Sequence, residues 1–283
     1  MSETRCHADN ARQRFHVCPV VTYMCQLLGM NSLQPAQLSF SLAGFLRRGG
    51  ETDEHADGWG LALYEEQHCK LLIDAQPSAS SPLAQWAQEH VRHSRNVIAH
   101  IRKATQGEVS PSNCHPFVRR LWGREWSFAH NGNLDTAGLP VTEFFHPVGQ
   151  TDSERAFCLL LDALVRQFGE HEPDAVTLHQ CLAQISQRIA ACGTFNFVLS
   201  DGVHLFAHRS TDLHYVVRAH PFGRALLLDC PLGIDFSRIN NPQDRMVIIA
   251  TKPLTDEAWL PLPQGEVVVF RGGARREPGK LAA

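Results

Sequence analysis

The chain has 283 residues, of which 43% are hydrophobic and 19% charged, a composition typical of a globular protein with a substantial core. Its net charge of −3 and its lack of Lys/Arg runs argue against a nucleic-acid-binding surface, and no stretch approaches the ~20 apolar residues of a membrane span. Nine scattered cysteines without a Cys-x-x-Cys pair indicate neither a disulfide framework nor a zinc site. We therefore expect a reducing, cytoplasmic compartment and a small-molecule partner.

The chain opens with a leader, residues 1–24, that lacks the pattern of a secretory signal. Arg12 and Arg14 are followed by only a short apolar patch, and no small-residue cleavage site comes after it. Three interpretations stay open: a start codon assigned too far upstream, a pro-segment that is removed, or a disordered tail. We favour the first interpretation, because the leader ends in Met24 directly before Cys25.

Cys25 becomes chemically interesting if translation begins at Met24 and that Met is removed. The residue then carries a free α-amine beside its thiol. An α-amine titrates near ~7.7–8.0 and a thiol near ~8.5, so part of the amine is neutral at pH 7 and can accept the thiol proton during nucleophilic attack. The alternative is a buried, idle cysteine in a strand, as free cysteines usually are.

The chain alternates between strand and helix patterns, with its best helical segments in the middle. Strands are predicted at residues 25–30, 59–64, 69–73, 97–101, 126–130, 195–200, 204–208, 215–218, 225–228, 246–250 and 267–270. Helices are predicted at residues 35–48, 81–93, 151–168 and 174–191, with a loop-rich stretch at 103–120. This order predicts an α+β fold of two packed sheets with helices outside. Residues 272–283 are expected to fray.

Four local clusters contain candidate site residues, each with a structural alternative. Arg102 ends a buried strand and could hold a carboxylate, or it is an ordinary surface arginine. Asn131 and Gly132 could donate two N–H groups to an oxyanion, or they form a hairpin turn. Asp152 could accept a substrate ammonium, and the surrounding TDSE segment also fits a helix capping box. His115 lies in a loop, where a lone histidine is usually structural.

The sequence lacks the common motifs of several other enzyme classes. It contains no Walker loop, no Gly-x-Gly-x-x-Gly after a strand, no Gly-x-Ser-x-Gly elbow and no His-Glu-x-x-His. The sixteen histidines lack metal-ligand spacing. We therefore expect neither a metal nor a cofactor.

Six motifs in order resemble the class II, N-terminal-nucleophile glutamine amidotransferases, most closely their stand-alone, YafJ-like branch. They are MCQLLG at 24–29, HADGWG at 55–60, HIRKATQG at 100–107, NCHP at 113–116, HNG at 130–132 and TDSE at 151–154. The likeness runs from Met24 to about Phe270. It implies a four-layer αββα Ntn-hydrolase sandwich of two mainly antiparallel sheets flanked by helices, formed by a glutamine amidotransferase domain at residues 25–271.

The resemblance implies a role for each matching residue. Cys25 would be the nucleophile with its own α-amine as base, and Asn131 and Gly132 would stabilise the oxyanion. Arg102 would bind the α-carboxylate of the substrate and Asp152 its α-ammonium, with His115 in a supporting position. The resemblance implies no chemical role for the HADGWG motif at 55–60, which is called the 55–60 signature below.

Two departures from the family pattern matter for function. Synthase members commonly read HTRWATHG where this chain has Lys103 and Gln106, and the residues that precede Cys25 would block its amine. We expect an amidohydrolase that cleaves the γ-amide of glutamine or of a γ-glutamyl compound through a thioester. The alternatives are a γ-glutamyl-binding or ammonia-delivering subunit that is inactive alone, and a degenerate domain capped by its extension. A synthetase subunit that accepts ammonia and a second copy of the chain stay open as partners.

Overall fold

The computed structural model describes residues 25–65, 68–91, 93–277 and 279. The predicted leader, residues 1–24, and the last part of the predicted tail lie outside the described residues. The longest helix among the described residues has 17 residues, and none of the described helices has the length and apolar character needed to cross a bilayer.

The described part of the chain forms fifteen strands, four α-helices and three short 3-10 turns. The strands are β1 (Gln26–Ala36), β2 (Trp59–Glu65), β3 (His68–Asp74), β4 (Ser94–Ile101), β5 (Phe117–Leu121), β6 (Arg124–Asn131), β7 (Asn196–Ser200), β8 (Leu205–His208), β9 (His214–Ala219), β10 (Arg224–Leu226), β11 (Gly233–Asp235), β12 (Arg245–Ala250), β13 (Leu260–Pro261), β14 (Val267–Arg271) and β15 (Ala274–Arg276). The helices are α1 (Ser39–Arg47), α2 (Pro82–His90), α3 (Asp152–Phe168) and α4 (Ala175–Ala190).

The strands form two large antiparallel sheets and one small ribbon. The first sheet has the order β13-β9-β12-β1-β4-β2-β3, and the second has the order β15-β14-β8-β7-β6-β5. Strand β1 lies in the centre of the first sheet, where Leu28 pairs with Ala250 on one side and with Ala99 on the other. Cys25, which directly precedes β1, is therefore attached to one of the best-supported strands of the fold.

Three apolar layers hold the sheets and helices together. One joins α1 and α2 to the outer face of the first sheet, and another joins α3 and α4 to the outer face of the second. The third lies between the sheets and contains Leu27, Ile98, Ala129 and Val198, all of them buried. The predicted α+β fold with the layer order αββα is confirmed.

The two-residue period of the strands decides which side chains enter the space between the sheets. Leu27 and Ile98 face that space. By alternation, Cys25 shares the face of Leu27, while His100 and Arg102 share the face of Ile98. On β6, Ala129 faces the same space and Asn131 follows it two residues later. Candidate site residues from both sheets therefore converge at one end of the sandwich.

Helix α3 begins as predicted, although the capping box is only half formed. The Thr151 hydroxyl accepts a hydrogen bond from Glu154 N–H at 3.2 Å. The Glu154 carboxylate accepts from Gly149 N–H at 2.7 Å and pairs with Arg119. The Glu154 carboxylate therefore connects the segment before the helix to Arg119 on β5 and does not complete the capping box. A buried carboxylate gains more from a cationic arginine than from one backbone N–H.

Three local predictions differ from the structure. Phe117–Leu121 form β5, inside the predicted loop, because they pair with β6. Asn131 and Gly132 are not a hairpin turn, since β6 pairs with β5 and β7, and Gly132 lacks a positive φ. Ala274–Arg276 pair with β14, so this part of the predicted tail is a strand rather than frayed chain.

Candidate active site

Cys25 is partly buried, and its sulfur is held by the backbone of one residue. Lys103 N–H donates a hydrogen bond to Cys25 Sγ at 3.1 Å, and the thiol donates to Lys103 O at 3.3 Å. No side chain among the described residues is hydrogen-bonded to this sulfur. A Cys–His or Cys–Asp pair is therefore not the source of a base at this position.

Burial raises the pKa of the Cys25 thiol to about 11, while the Lys103 N–H and the positive charge of Arg102 act against that rise. The negative charge of Asp152 raises the pKa further. The thiol is therefore protonated at neutral pH, and attack on a carbonyl requires a base that takes its proton. Arg102 and Asp152 thus influence the pKa of the thiol in opposite directions.

The segment that holds the sulfur is itself fixed by the 55–60 signature. Asp57 accepts a hydrogen bond from Ala104 N–H at 2.8 Å, and its own N–H donates to Arg102 O at 3.1 Å. Arg102 N–H donates to Gly58 O at 2.8 Å. Gly58 has φ +109°, and a side chain there would collide with Cys114. The signature thus has a structural role: it positions the backbone around Lys103.

Arg102 is 3% exposed, so it is not the surface arginine of the structural alternative. Its guanidinium donates to three backbone carbonyls, those of Gln106 at 2.8 Å, Glu108 at 3.0 Å and Gly107 at 3.2 Å. These are neutral acceptors, and an ionised carboxylate is a stronger acceptor for a guanidinium. In the described part of the chain, Arg102 is hydrogen-bonded to carbonyl dipoles and to no carboxylate, which leaves it suited to bind an anion.

Asp152 is 4% exposed and lies in the first turn of α3. One carboxylate oxygen accepts from Leu134 N–H at 2.8 Å, and the other accepts from Ser153 N–H at 2.9 Å. Two oxygens offer about four acceptor positions, so these bonds leave room for a cationic donor. The carboxylate is oriented by the backbone of two separate segments.

Asn131 is fully buried at the end of β6. Its side-chain nitrogen donates to the Thr251 hydroxyl at 3.2 Å, and its side-chain oxygen has no hydrogen-bond partner among the described residues. At Gly132, a Cβ would collide with the Thr194 carbonyl, so only glycine fits this close approach. Within the described residues, nothing accepts a hydrogen bond from Gly132 N–H. Two polar groups at adjacent residues are thus available to a ligand.

Three buried histidines lie behind the site. The rings of His100 and His115 are 4.1 Å apart, and His115 Nδ1 accepts from His130 N–H at 3.4 Å. His130 lies within hydrogen-bond distance of Thr194 O at 2.9 Å and of Ser153 Oγ at 2.8 Å. Because a carbonyl only accepts, His130 carries its proton on Nε2. His115 therefore supports the residue before Asn131, and among the described residues it is not hydrogen-bonded to Cys25.

Burial lowers the pKa of His100 and His115 well below the usual histidine range, and neighbouring histidines and Arg102 lower it further. Burial also lowers the pKa of His130, although Asp152 acts against that shift. The three imidazoles are neutral at pH 7. Among the described residues, no group of three His, Cys, Asp or Glu side chains could hold a metal ion.

Sequence reasoning missed two contributors to this site. Thr251 follows β12, and its hydroxyl contacts the backbone of Leu27 and the side chain of Asn131, at 2.9 and 3.2 Å. A threonine after an apolar strand carries no functional signal in a single sequence. Lys103 acts through its backbone, which side-chain patterns do not reveal, and its side chain pairs with Glu54 at 3.2 Å.

Comparisons with known proteins identify the family of this chain. The family model of the class II glutamine amidotransferases matches residues 24–282. The chain is 44% identical over 253 residues to YafJ of Escherichia coli (strain K12), which covers 89% of this chain and 99% of YafJ. A 2.0 Å crystal structure of a predicted glutamine amidotransferase from Pseudomonas aeruginosa PA01 is 39% identical, with a TM-score of 0.70, covering 89% of this chain and 99% of that one.

A more distant structure shows the fold alone. Glutamine phosphoribosylpyrophosphate amidotransferase from B. subtilis, complexed with ADP and GMP, is 14% identical with a TM-score of 0.57. The match covers 89% of this chain and 48% of that larger one. The αββα sandwich is thus shared with that amidotransferase, while the family model and the more similar relatives define the membership. The chain belongs to the class II glutamine amidotransferases.

Proposed function

We propose that this protein hydrolyses the γ-amide of glutamine or of a related γ-glutamyl compound through a thioester on Cys25. The observation that carries the proposal is the setting of the sulfur. It lies at the start of the central strand β1, is held by the Lys103 backbone, and has no hydrogen-bonded side-chain base among the described residues. A buried cation, Arg102, and a buried anion, Asp152, both act on it.

The two charged groups suit a zwitterionic amino-acid end. Arg102 would exchange its carbonyl partners for the α-carboxylate of the substrate, which is the stronger acceptor. Asp152, fixed by Leu134 and Ser153, would accept the α-ammonium. Binding both ends restricts the orientation of the substrate, so that its γ-carbonyl is held against the sulfur.

The reaction then runs in two halves. The α-amine of Cys25 takes the thiol proton as sulfur attacks the γ-carbonyl, and the same proton is passed to the leaving nitrogen as the C–N bond breaks. Ammonia or an amine departs and a thioester is left. The amine next takes a proton from water, whose oxygen attacks the thioester. Collapse of that intermediate breaks the C–S bond, returns the proton to sulfur and releases glutamate.

Asn131 and Gly132 would stabilise the negative oxygen of both tetrahedral intermediates. Asn131 ends β6 two residues after Ala129, which faces the layer between the sheets, and Gly132 follows directly. Removing one such donor typically costs ~10²–10³ in kcat. His115 would act only through His130, by holding the strand end that carries these donors.

This chemistry requires that Cys25 be the first residue of the active protein, because an amide nitrogen is not a base. Residues 1–24 must therefore be absent from the active form, either because translation starts at Met24 or because the leader is removed. The raised pKa of the thiol supports the same requirement, since a protonated thiol without a base is a poor nucleophile.

The test compares three proteins: the chain from Met1, a chain that begins at Cys25, and the latter with Cys25→Ala. Glutamate and ammonia are measured with glutamine, and a panel of γ-glutamyl amides follows. Only the second protein should be active. Cys192→Ala, at a partly buried cysteine outside the hydrogen bonds of the site, is the matched control and should retain activity.

Intact mass must show that the chain from Met1 is not processed during purification. Turnover by that uncleaved chain, or by the Cys25→Ala protein, would overturn the mechanism. Inactivity of every form alone, with activity regained beside a co-purifying synthetase chain, would favour the subunit alternative.

A further inference from the structure

Thr251 lies beside the last residues of β12 and β6 and the first residues of β1. It directly follows β12, is 6% exposed, and its hydroxyl accepts a hydrogen bond from Leu27 N–H at 2.9 Å. The same hydroxyl is 3.2 Å from the side-chain nitrogen of Asn131. Thr251 N–H donates in turn to Leu27 O at 3.2 Å. One residue therefore connects the strand that begins with the nucleophile to the proposed oxyanion donor in the other sheet.

The hydrogen-bond requirements of this group favour one orientation of the Asn131 amide. A threonine hydroxyl has one hydrogen to donate and two lone pairs. With the amide nitrogen facing Thr251, the hydroxyl receives two N–H groups, and Asn131 Oδ1 is buried without a partner among the described residues. A buried, unsatisfied carbonyl oxygen is costly.

Rotating the amide by half a turn hardly changes its shape, gives Oδ1 the Thr251 hydroxyl as its donor, and leaves unsatisfied only the amide hydrogens, for which a bound oxyanion would be the acceptor. The hydroxyl then accepts from Leu27 N–H and donates to Asn131 Oδ1. The NH2 group of Asn131 occupies the position that was unpartnered, and both of its hydrogens are free for a ligand. A threonine at this position thus selects the orientation that an oxyanion requires.

We propose that Thr251 is a positioning residue that orients the Asn131 amide toward the substrate oxyanion and ties that donor to the strand of the nucleophile. This inference rests on the proposed function. The hydroxyl acts through Asn131 and does not touch the substrate. Its effect is therefore expected in kcat, because the oxyanion forms only in the transition state and the intermediates.

The test uses Thr251→Val and Thr251→Ser in the chain that begins at Cys25, with glutamine as substrate. Thr251→Val keeps the shape but removes the hydroxyl, so kcat should fall about tenfold to a hundredfold, less than for removal of the donor itself. KM should change little. Thr251→Ser keeps the hydroxyl and should restore most of kcat. If Thr251→Val does not fold, Thr251→Ala takes its place.

A double-mutant cycle with Asn131→Ala separates positioning from general structural damage. Once the amide is absent, Thr251→Val should have almost no further effect on kcat. A structural role would lower kcat by the same factor in both backgrounds, and that result would overturn the inference. So would unchanged kcat for Thr251→Val. Both of these results presuppose that the unsubstituted chain that begins at Cys25 is active. If that chain is itself inactive, the proposed function is overturned as well.

Discussion

The reactivity of Cys25 toward an alkylating agent depends on whether residues 1–24 are present. In the structure, burial raises the pKa of this thiol to about 11. At pH 7 only about one sulfur in 10⁴ is then a thiolate, compared with roughly one in 30 for an ordinary thiol of pKa ~8.5. Because the thiolate is the reactive form, Cys25 in the chain from Met1 should react about 300-fold more slowly than an ordinary cysteine.

Removal of residues 1–24 should change this rate strongly. The new α-amine lies on the same residue as the thiol, and its ammonium form favours the thiolate by charge attraction. The ammonium form is present at pH 7, because an α-amine titrates near ~7.7–8.0. We therefore expect Cys25 to be alkylated at least about tenfold faster at pH 7 in the chain that begins at Cys25 than in the chain from Met1.

Iodoacetamide labelling at a series of pH values, followed by digestion and mass spectrometry, measures each cysteine separately. Cys192, which is partly buried, serves as an internal reference for reagent access, and Cys158, which is fully buried, serves as the protected reference. The reasoning would be refuted if Cys25 of the intact chain reacted with a midpoint at or below ~8.5. An identical rate of labelling at pH 7 in both chains would refute the role of the amine.

Two further predictions concern the surroundings of the sulfur. Asp57→Ala removes the charged acceptor of Ala104 N–H, so urea denaturation should show a loss of about 1.5–3 kcal/mol, and kcat should fall because Lys103 shifts. Asp57→Asn, which keeps an acceptor, should lose less, and equal losses would exclude this role. His100 and His115 are neutral when folded and titrate near ~6.5 when unfolded, so the unfolded state binds more protons below that pH. The free energy of unfolding should be level between about pH 7 and pH 8 and fall below pH 6.5 by up to ~1.4 kcal/mol per pH unit for each group; a level curve down to pH 5 would contradict the neutral assignment.

The three buried histidines of the candidate site also recur at a regular spacing in the sequence. His100, His115 and His130 recur every fifteen residues, and they do meet in space. The rings of His100 on β4 and His115 before β5 are tilted by 40° at 4.1 Å, and His115 and His130 are hydrogen-bonded to backbone groups. Neither nitrogen of His100 has a hydrogen-bond partner among the described residues, and burial lowers the pKa of all three rings.

The sequence by itself determined the helices, the central strands and the residues that form the candidate site. Apolar periodicity defined α3 and α4, and the alternation of strands and helices indicated two sheets with outer helices. The order of six motifs pointed to Cys25, Arg102, Asn131, Gly132 and Asp152 together. These features depend on local pattern, which a single chain displays directly.

Only the tertiary structure decided how those residues are held. Strand β5 exists because β6 offers it a partner, and the hydroxyl of Thr251 reaches Leu27, 224 residues away in the chain. Asp57 supports the sulfur through the backbone of Ala104, and the 55–60 signature showed no such duty in the sequence. Hydrogen bonds between distant backbone groups depend on how strands align across sheets. They leave little trace in local composition or periodicity.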